Sequence, residues 1–141
     1  MKIVSVNKSE KKGTVKLPIS KGFFKIDHGL VGDAHAAPGK RQVSLLAKED
    51  YAIMEKTKDL PLGSFAENLT TEGIVLHTLP VGTQMRIGTT LVELSQIGKT
   101  CHQGCAIRDL VGNCVMPKRG VFVIIKEEGE IKAGDEIVLL E

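Results

Sequence analysis

A chain of 141 residues, 42% hydrophobic and 26% charged, has the size and composition of one globular domain with a core of its own. Its net charge is only +2, its basic residues are spread along the chain and aromatics are 4%, which argues against a nucleic-acid surface. No apolar run approaches the ~20 residues of a membrane helix. Three cysteines behind an N-terminus with no secretory pattern lead us to expect a reducing, cytoplasmic setting.

Short β-rich runs dominate the chain. They are Lys2 to Val6, Thr14 to Ile19, Gln42 to Leu46, Thr83 to Ile87, Thr90 to Ile97, Val121 to Lys126 and Glu136 to Leu140. Each is rich in Val, Ile, Leu or Thr and is bounded by Gly, Pro, Asn or Asp. Leu46, Ala47, Tyr51 and Met54 recur at three- and four-residue steps and predict a helix over about Lys48 to Lys58, ended by Asp59-Leu60-Pro61. A shorter helix is expected from Ala106 to Val111, and Glu127-Glu128-Gly129-Glu130 reads as a turn between late strands. Pro80 to Ile87 and Lys132 to Leu139 echo each other, each placing Gly and a small polar residue ahead of a strand. Many short strands without regular helices predict a mainly β barrel or sandwich with one or two short helices.

Chemistry concentrates between Gly98 and Gly120. Cys101, His102, Cys105 and Cys114 fall there, flanked by Lys99, Arg108, Lys118 and Arg119. A cysteine ahead of a short helix gains thiolate character from the helix N-terminus and from nearby cations, which suits Cys105 as metal ligand or sulfur acceptor. Cys101, His102, Cys105 and Cys114 can alternatively close a zinc site, or the cysteines can be small buried hydrophobes. Asp33, His35, Lys40 and Arg41 form a second group, in a Gly-rich loop whose amides and cations suit an anion. Glu67, Asn68 and Thr70 form a third, suited to the polar edges of a heterocycle or to a solvated connection. Lys118 and Arg119, in a Pro/Gly turn, are candidates for a phosphate.

Three stretches in this order resemble the MOSC domain, the molybdenum cofactor sulfurase C-terminal domain, in its small stand-alone form. They are GLVGDAHAAPGKRQVSLL from Gly29, FAENLTTEGIVLHTL from Phe65, and GKTCHQGCAIRDLVGNCVMPKRG from Gly98. The chain departs from close relatives after His35, where Ala36-Ala37-Pro38-Gly39-Lys40 replaces a glycine followed by an aromatic. The resemblance implies a single MOSC-type β-barrel over residues 1–141 and a molybdopterin-type molybdenum cofactor. It maps the family's cysteine to Cys105, as metal ligand or sulfur carrier, with His102 beside it. Lys40, Arg41, Lys118 and Arg119 then serve the pterin phosphate, with Lys99 and Arg108 also on the cofactor. Glu67, Asn68 and Thr70 serve the pterin edges, and Asp33 and His35 complete the site. The family also carries an association with pyridoxal phosphate. The implied partners are the cofactor and a cofactor-biosynthetic enzyme or molybdoenzyme. Two alternatives are a molybdenum-dependent reductase of N-hydroxylated compounds fed by a partner electron donor, and a non-catalytic docking module.

Overall fold

The computed structural model describes residues 1–11, 15–53, 59–98 and 120–140. Its architecture is mainly β. The strands are β1 (Lys2–Lys8), β2 (Leu17–Ile19), β3 (Lys21–Lys25), β4 (Gly29–Leu30), β5 (Val43–Ala47), β6 (Leu69–Glu72), β7 (Gln84–Ile87), β8 (Thr90–Ile97), β9 (Val121–Glu127), β10 (Gly129–Lys132) and β11 (Ile137–Leu139). Eight of them form one sheet in the order β11-β7-β8-β9-β5-β6-β1-β2, and β10-β3-β4 form a second. All neighbours are antiparallel except β5 and β6. A bridge between Lys2 and Glu136 brings β1 to the entry of β11, without extending into a ladder. Among the described residues the large sheet is therefore not closed into a barrel, although the mainly β class stands.

The period-two alternation of strands sorts residues onto two faces. Val43 and Leu45 point into the main core with Ile3, Val6, Leu69, Met85, Val92, Leu94, Val121 and Val123. Leu46 points to the opposite face and joins Tyr51, Phe65, Ala66 and Phe122 in a second apolar cluster. The rings of Tyr51 and Phe65 meet edge to face, with centroids 5.0 Å apart. Across the sheet, Ile97, Val121, Leu45, Leu69, Val6 and Ile19 lie on one continuous rung.

The two echoing segments become partners, because β7 and β11 pair with Ile87 opposite Ile137 and Met85 opposite Leu139. Four strands go beyond the expected set: β3, β4, β6 and β10. The run KGFFK of β3 alternates cleanly, with Gly22 and Phe24 buried and Lys21, Phe23 and Lys25 exposed. The segment Leu69–Glu72 lacks apolar periodicity because it is a central strand whose hydroxyl-bearing Thr70 and Thr71 are buried. Strand β10 begins at Gly129, inside the stretch read as a turn. The helix expected from Lys48 is a 3₁₀ segment, Lys48–Ile53, in its described part, and a second 3₁₀ turn spans Leu76–Thr78. Residues 54–58 of the first predicted helix, and all of Ala106 to Val111, lie outside the described residues. Among the described residues no helix is long and apolar enough to cross a membrane.

Candidate functional site

Asp33 is set by a tight turn after β4, in which its N–H donates to the Leu30 carbonyl (3.1 Å) and its own carbonyl accepts from Ala36 N–H (3.2 Å). The neighbouring Ala34 N–H donates to the Ser9 carbonyl (2.8 Å), tying this loop to the end of β1. The Asp33 carboxylate then faces inward. Oδ1 accepts from Ser9 N–H (3.0 Å) and from the Lys16 ammonium (2.8 Å), and Oδ2 accepts from His35 N–H (3.1 Å). Both side chains of this ion pair are 1% exposed. Lys16 Nζ also lies 3.1 Å from Ser9 Oγ and 3.0 Å from His35 Nδ1. Burial opposes ionisation of Asp33, but the Lys16 ammonium, Ser9 N–H and the Asn68 side chain outweigh it and hold its carboxyl below the usual range.

A second buried network starts from Glu67, which is fully buried. Its Oε2 accepts from the Tyr51 hydroxyl (2.5 Å) and from Thr70 Oγ1 (2.9 Å), and Oε1 accepts from Phe65 N–H (3.2 Å). Asn7 Nδ2 donates to Thr70 Oγ1 (3.0 Å) and to the Glu67 carbonyl (3.1 Å). Asn68 locks β5 in place: its Oδ1 accepts from Ser44 N–H (3.1 Å), and its Nδ2 donates to the Asn7 carbonyl (3.3 Å). Burial raises the Glu67 carboxyl above its ordinary range despite the donors of Tyr51 and Thr70. The Tyr51 phenol is raised as well, by burial and then by the charge of Glu67.

Gly63 makes this junction possible. It adopts φ +92°, and a Cβ there would run into the Lys16 carbonyl and the Asn7 side chain. The Gly63 carbonyl accepts from Lys16 N–H (2.9 Å), so one glycine joins the Glu67 network to the backbone of the buried lysine.

Lys40 and Arg41 are exposed on the loop entering β5. Arg41 reaches both strands that lead into the cysteine-bearing segment. Its Nε–H lies 3.5 Å from Gln96 Oε1 on β8, and its guanidinium carbon lies 5.7 Å from the ring centroid of Phe122 on β9. The Ser95 hydroxyl donates to the Lys40 carbonyl. Gly98 N–H donates to the Gly120 carbonyl (2.7 Å), so the β8–β9 connection leaves and returns through a hydrogen-bonded glycine pair. Cys105, His102, Lys99, Arg108, Lys118 and Arg119, with Cys101 and Cys114, lie on that connection, outside the described residues. Among the described residues no group of three or more His, Cys, Asp or Glu side chains could hold a metal ion.

The structure thus brings Asp33 and His35 together around Lys16, and Glu67, Asn68 and Thr70 together around Asn7, Ser44 and Tyr51. Lys40 and Arg41 stand apart from both, on the surface. Lys16 and Tyr51 escape a reading of sequence. Next to Leu17, which is 67% exposed, Lys16 inverts the usual rule of which residue is buried, and partners far along the chain, above all Asp33 17 residues away, explain it.

An open mainly β sheet, with the buried Lys16–Asp33 ion pair beneath its loops and the exposed Arg41 against the two strands β8 and β9, defines a small, mainly β protein. The family model of the MOSC domain matches residues 31–138, and the chain belongs to the MOSC domain family, which is associated with molybdenum cofactor binding. YuaD from Bacillus subtilis superposes with a TM-score of 0.77 at 17% identity, over 98% of this chain and 94% of that one. YiiM from Geobacillus stearothermophilus gives 0.77 at 23% identity, over 99% and 75% of the two chains. YiiM from Escherichia coli gives 0.71 at 19%, over 100% and 70%. At these identities the likeness is one of fold. A comparison with curated protein sequences returns no match.

Lys40 and Arg41 are exposed cations with no salt bridge among the described residues, and Arg41 is already oriented by Gln96 and Phe122. Glu67, Asn68 and Thr70 are buried and engaged with protein groups, so their geometry is that of a scaffold beneath the loops.

Proposed function

We propose that this chain binds a molybdopterin-type cofactor and handles its metal or sulfur through Cys105, as a sulfur carrier or cofactor-transfer protein of molybdenum cofactor metabolism in the cytoplasm. The observation that supports this reading most is the approach of Arg41 to Gln96 and Phe122. It puts the cationic loop of Lys40 and Arg41 against the strands from which the Cys105 segment departs. Both loops lie within the span matched by the family model.

When bound, the cofactor supplies molybdenum held through dithiolene sulfurs. Cys105 offers a soft thiolate suited to such a centre, favoured by Lys99, His102 and Arg108 nearby in sequence. Lys40 and Arg41, with Lys118 and Arg119, supply positive charge to the phosphate. Asp33 fixes the backbone at His35, and the Glu67 network holds β5 and β6 rigid under these loops. The natural partner is the enzyme that makes or consumes the cofactor.

The test is purification from a host that makes the cofactor, followed by pterin fluorescence, molybdenum analysis and intact-mass measurement for one added sulfur atom on Cys105. Bound pterin with molybdenum or added sulfur, both lost in Cys105→Ser, is the expected result. Protein that carries neither pterin, molybdenum nor sulfur overturns the reading, and one zinc per chain replaces it with a structural metal site.

A further inference from the structure

We propose that Lys16 is a positioning residue that holds His35 as a neutral imidazole with its proton on Nε2, making His35 a fixed hydrogen-bond donor rather than a base or a metal ligand. An ammonium group has three hydrogens and accepts none. Among the described residues, Lys16 Nζ lies within hydrogen-bonding distance of Asp33 Oδ1 at 2.8 Å, His35 Nδ1 at 3.0 Å and Ser9 Oγ at 3.1 Å. Ser9 directs its own hydroxyl hydrogen to the Lys11 carbonyl (3.1 Å), so its oxygen meets Lys16 as an acceptor. Asp33 accepts from Ser9 N–H and His35 N–H as well, which marks it as the charged partner that keeps Lys16 an ammonium.

Nδ1 of His35 therefore receives a hydrogen from Lys16 and carries none itself. A proton on Nδ1 would set N–H against N–H across 3.0 Å, beside a positive charge buried at 1% exposure. The remaining ring nitrogen must hold the proton of the neutral ring. Asp33 completes the arrangement by fixing the backbone of His35 through Oδ2 while it fixes Lys16 through Oδ1. One carboxylate positions both members of the pair. Nε2–H is then a donor, matched in chemistry to an acceptor such as an oxyanion or carbonyl oxygen and not to a cation. The assignment of the acceptor to an anionic cofactor group rests on the function proposed above, whereas the tautomer stands independently of it.

The experiment is long-range nitrogen–proton NMR on the full chain with 15N-labelled histidine at neutral pH, with His35 assigned by the loss of its signals in His35→Gln. The expected pattern is a pyridine-type, hydrogen-bond-shifted Nδ1 and a pyrrole-type Nε2. In Lys16→Met, the Nδ1 resonance should move because its donor is gone. Should that variant fail to fold around an unpaired Asp33, Lys16→Met with Asp33→Asn removes both charges and carries the same readout. A pyrrole-type Nδ1 or a doubly protonated ring in the parent overturns the proposal, as does an Nδ1 resonance unmoved by loss of Lys16. Absence of bound pterin counts against the cofactor reading alone, because the tautomer is measured on protein without it.

Discussion

Tyr51 and Glu67 meet through a 2.5 Å O–H···O contact, while the same phenol oxygen accepts the N–H groups of Gly63 (3.0 Å) and Ser64 (3.2 Å). Tyr51 thereby satisfies two backbone donors in the segment leading to β6 and passes its own hydrogen to a carboxyl that burial pushes upward. Tyr51→Phe strands the Gly63 N–H and leaves the Ser64 N–H only its contact with the Pro61 carbonyl (3.2 Å), and we expect a loss of about 1–3 kcal/mol in urea unfolding.

Glu67 makes stability depend on pH with a definite sign. Its folded carboxyl titrates above its unfolded range, so its contribution is complete below that unfolded range. It is lost as pH rises through the elevated folded value. Glu67→Gln should flatten this part of the profile when unfolding midpoints are measured from acid to neutral pH. A parent and variant with parallel profiles would show that Glu67 is not the group responsible.

Asp33 acts in the opposite direction. Its carboxyl titrates below its unfolded range, so its contribution is present above that range and fades as pH falls through the folded value. Asp33→Ala removes this acid-side slope. At neutral pH it also leaves the Lys16 ammonium buried without its carboxylate, a cost of about 3–5 kcal/mol. Urea titrations of both proteins at several pH values check the slope and the offset together.

Gly63→Ala tests the junction between the two networks. The left-handed φ and the approach of the Lys16 carbonyl both oppose a Cβ, so the variant should lose more than the ~0.4–1 kcal/mol that the same replacement gains at compatible sites. Thermal unfolding of the variant reads it directly. An unchanged midpoint would mean that the segment relaxes without cost.

On the cofactor side, Cys105→Ser should abolish retention of molybdenum or added sulfur, whereas Cys114→Ser should leave most of it. The difference follows from a position ahead of the expected short helix, which favours thiolate at Cys105 alone. Metal analysis of both variants, purified in parallel, decides the point. Equal loss in both indicates a shared metal site.

The cation pairs should separate by their contribution to phosphate binding. Lys40→Ala with Arg41→Ala, compared with Lys118→Ala with Arg119→Ala, should weaken cofactor binding while leaving the unfolding midpoint near that of the parent. Each charge-assisted hydrogen bond lost is worth about 1.5–3 kcal/mol, falling toward ~0–1 where the contact stays solvated. Affinities measured by pterin fluorescence at low and moderate salt identify which pair faces the phosphate. A pair whose removal leaves affinity unchanged at both salt concentrations does not.

Local physics written into the chain was enough to identify the β class and most strands, because apolar alternation and Gly, Pro or Asp boundaries are short-range signals. The family, too, is legible in the order of its loop motifs. The echo of Pro80 to Ile87 in Lys132 to Leu139 showed two similar turn-and-strand units, but only the folded chain made β7 and β11 partners. Strand β6 was hidden because burial of Thr70 and Thr71 depends on neighbours about 25 and 65 residues away on β5 and β1. The candidate site divides the same way. Asp33, His35 and Glu67 were visible as chemistry-bearing residues, whereas their surroundings were not. Lys16 lies 17 residues from Asp33, and Tyr51 lies 16 from Glu67. A buried charge is tolerable only beside its partner, and which partner reaches it is decided by how the strands cross in space rather than by spacing along the chain.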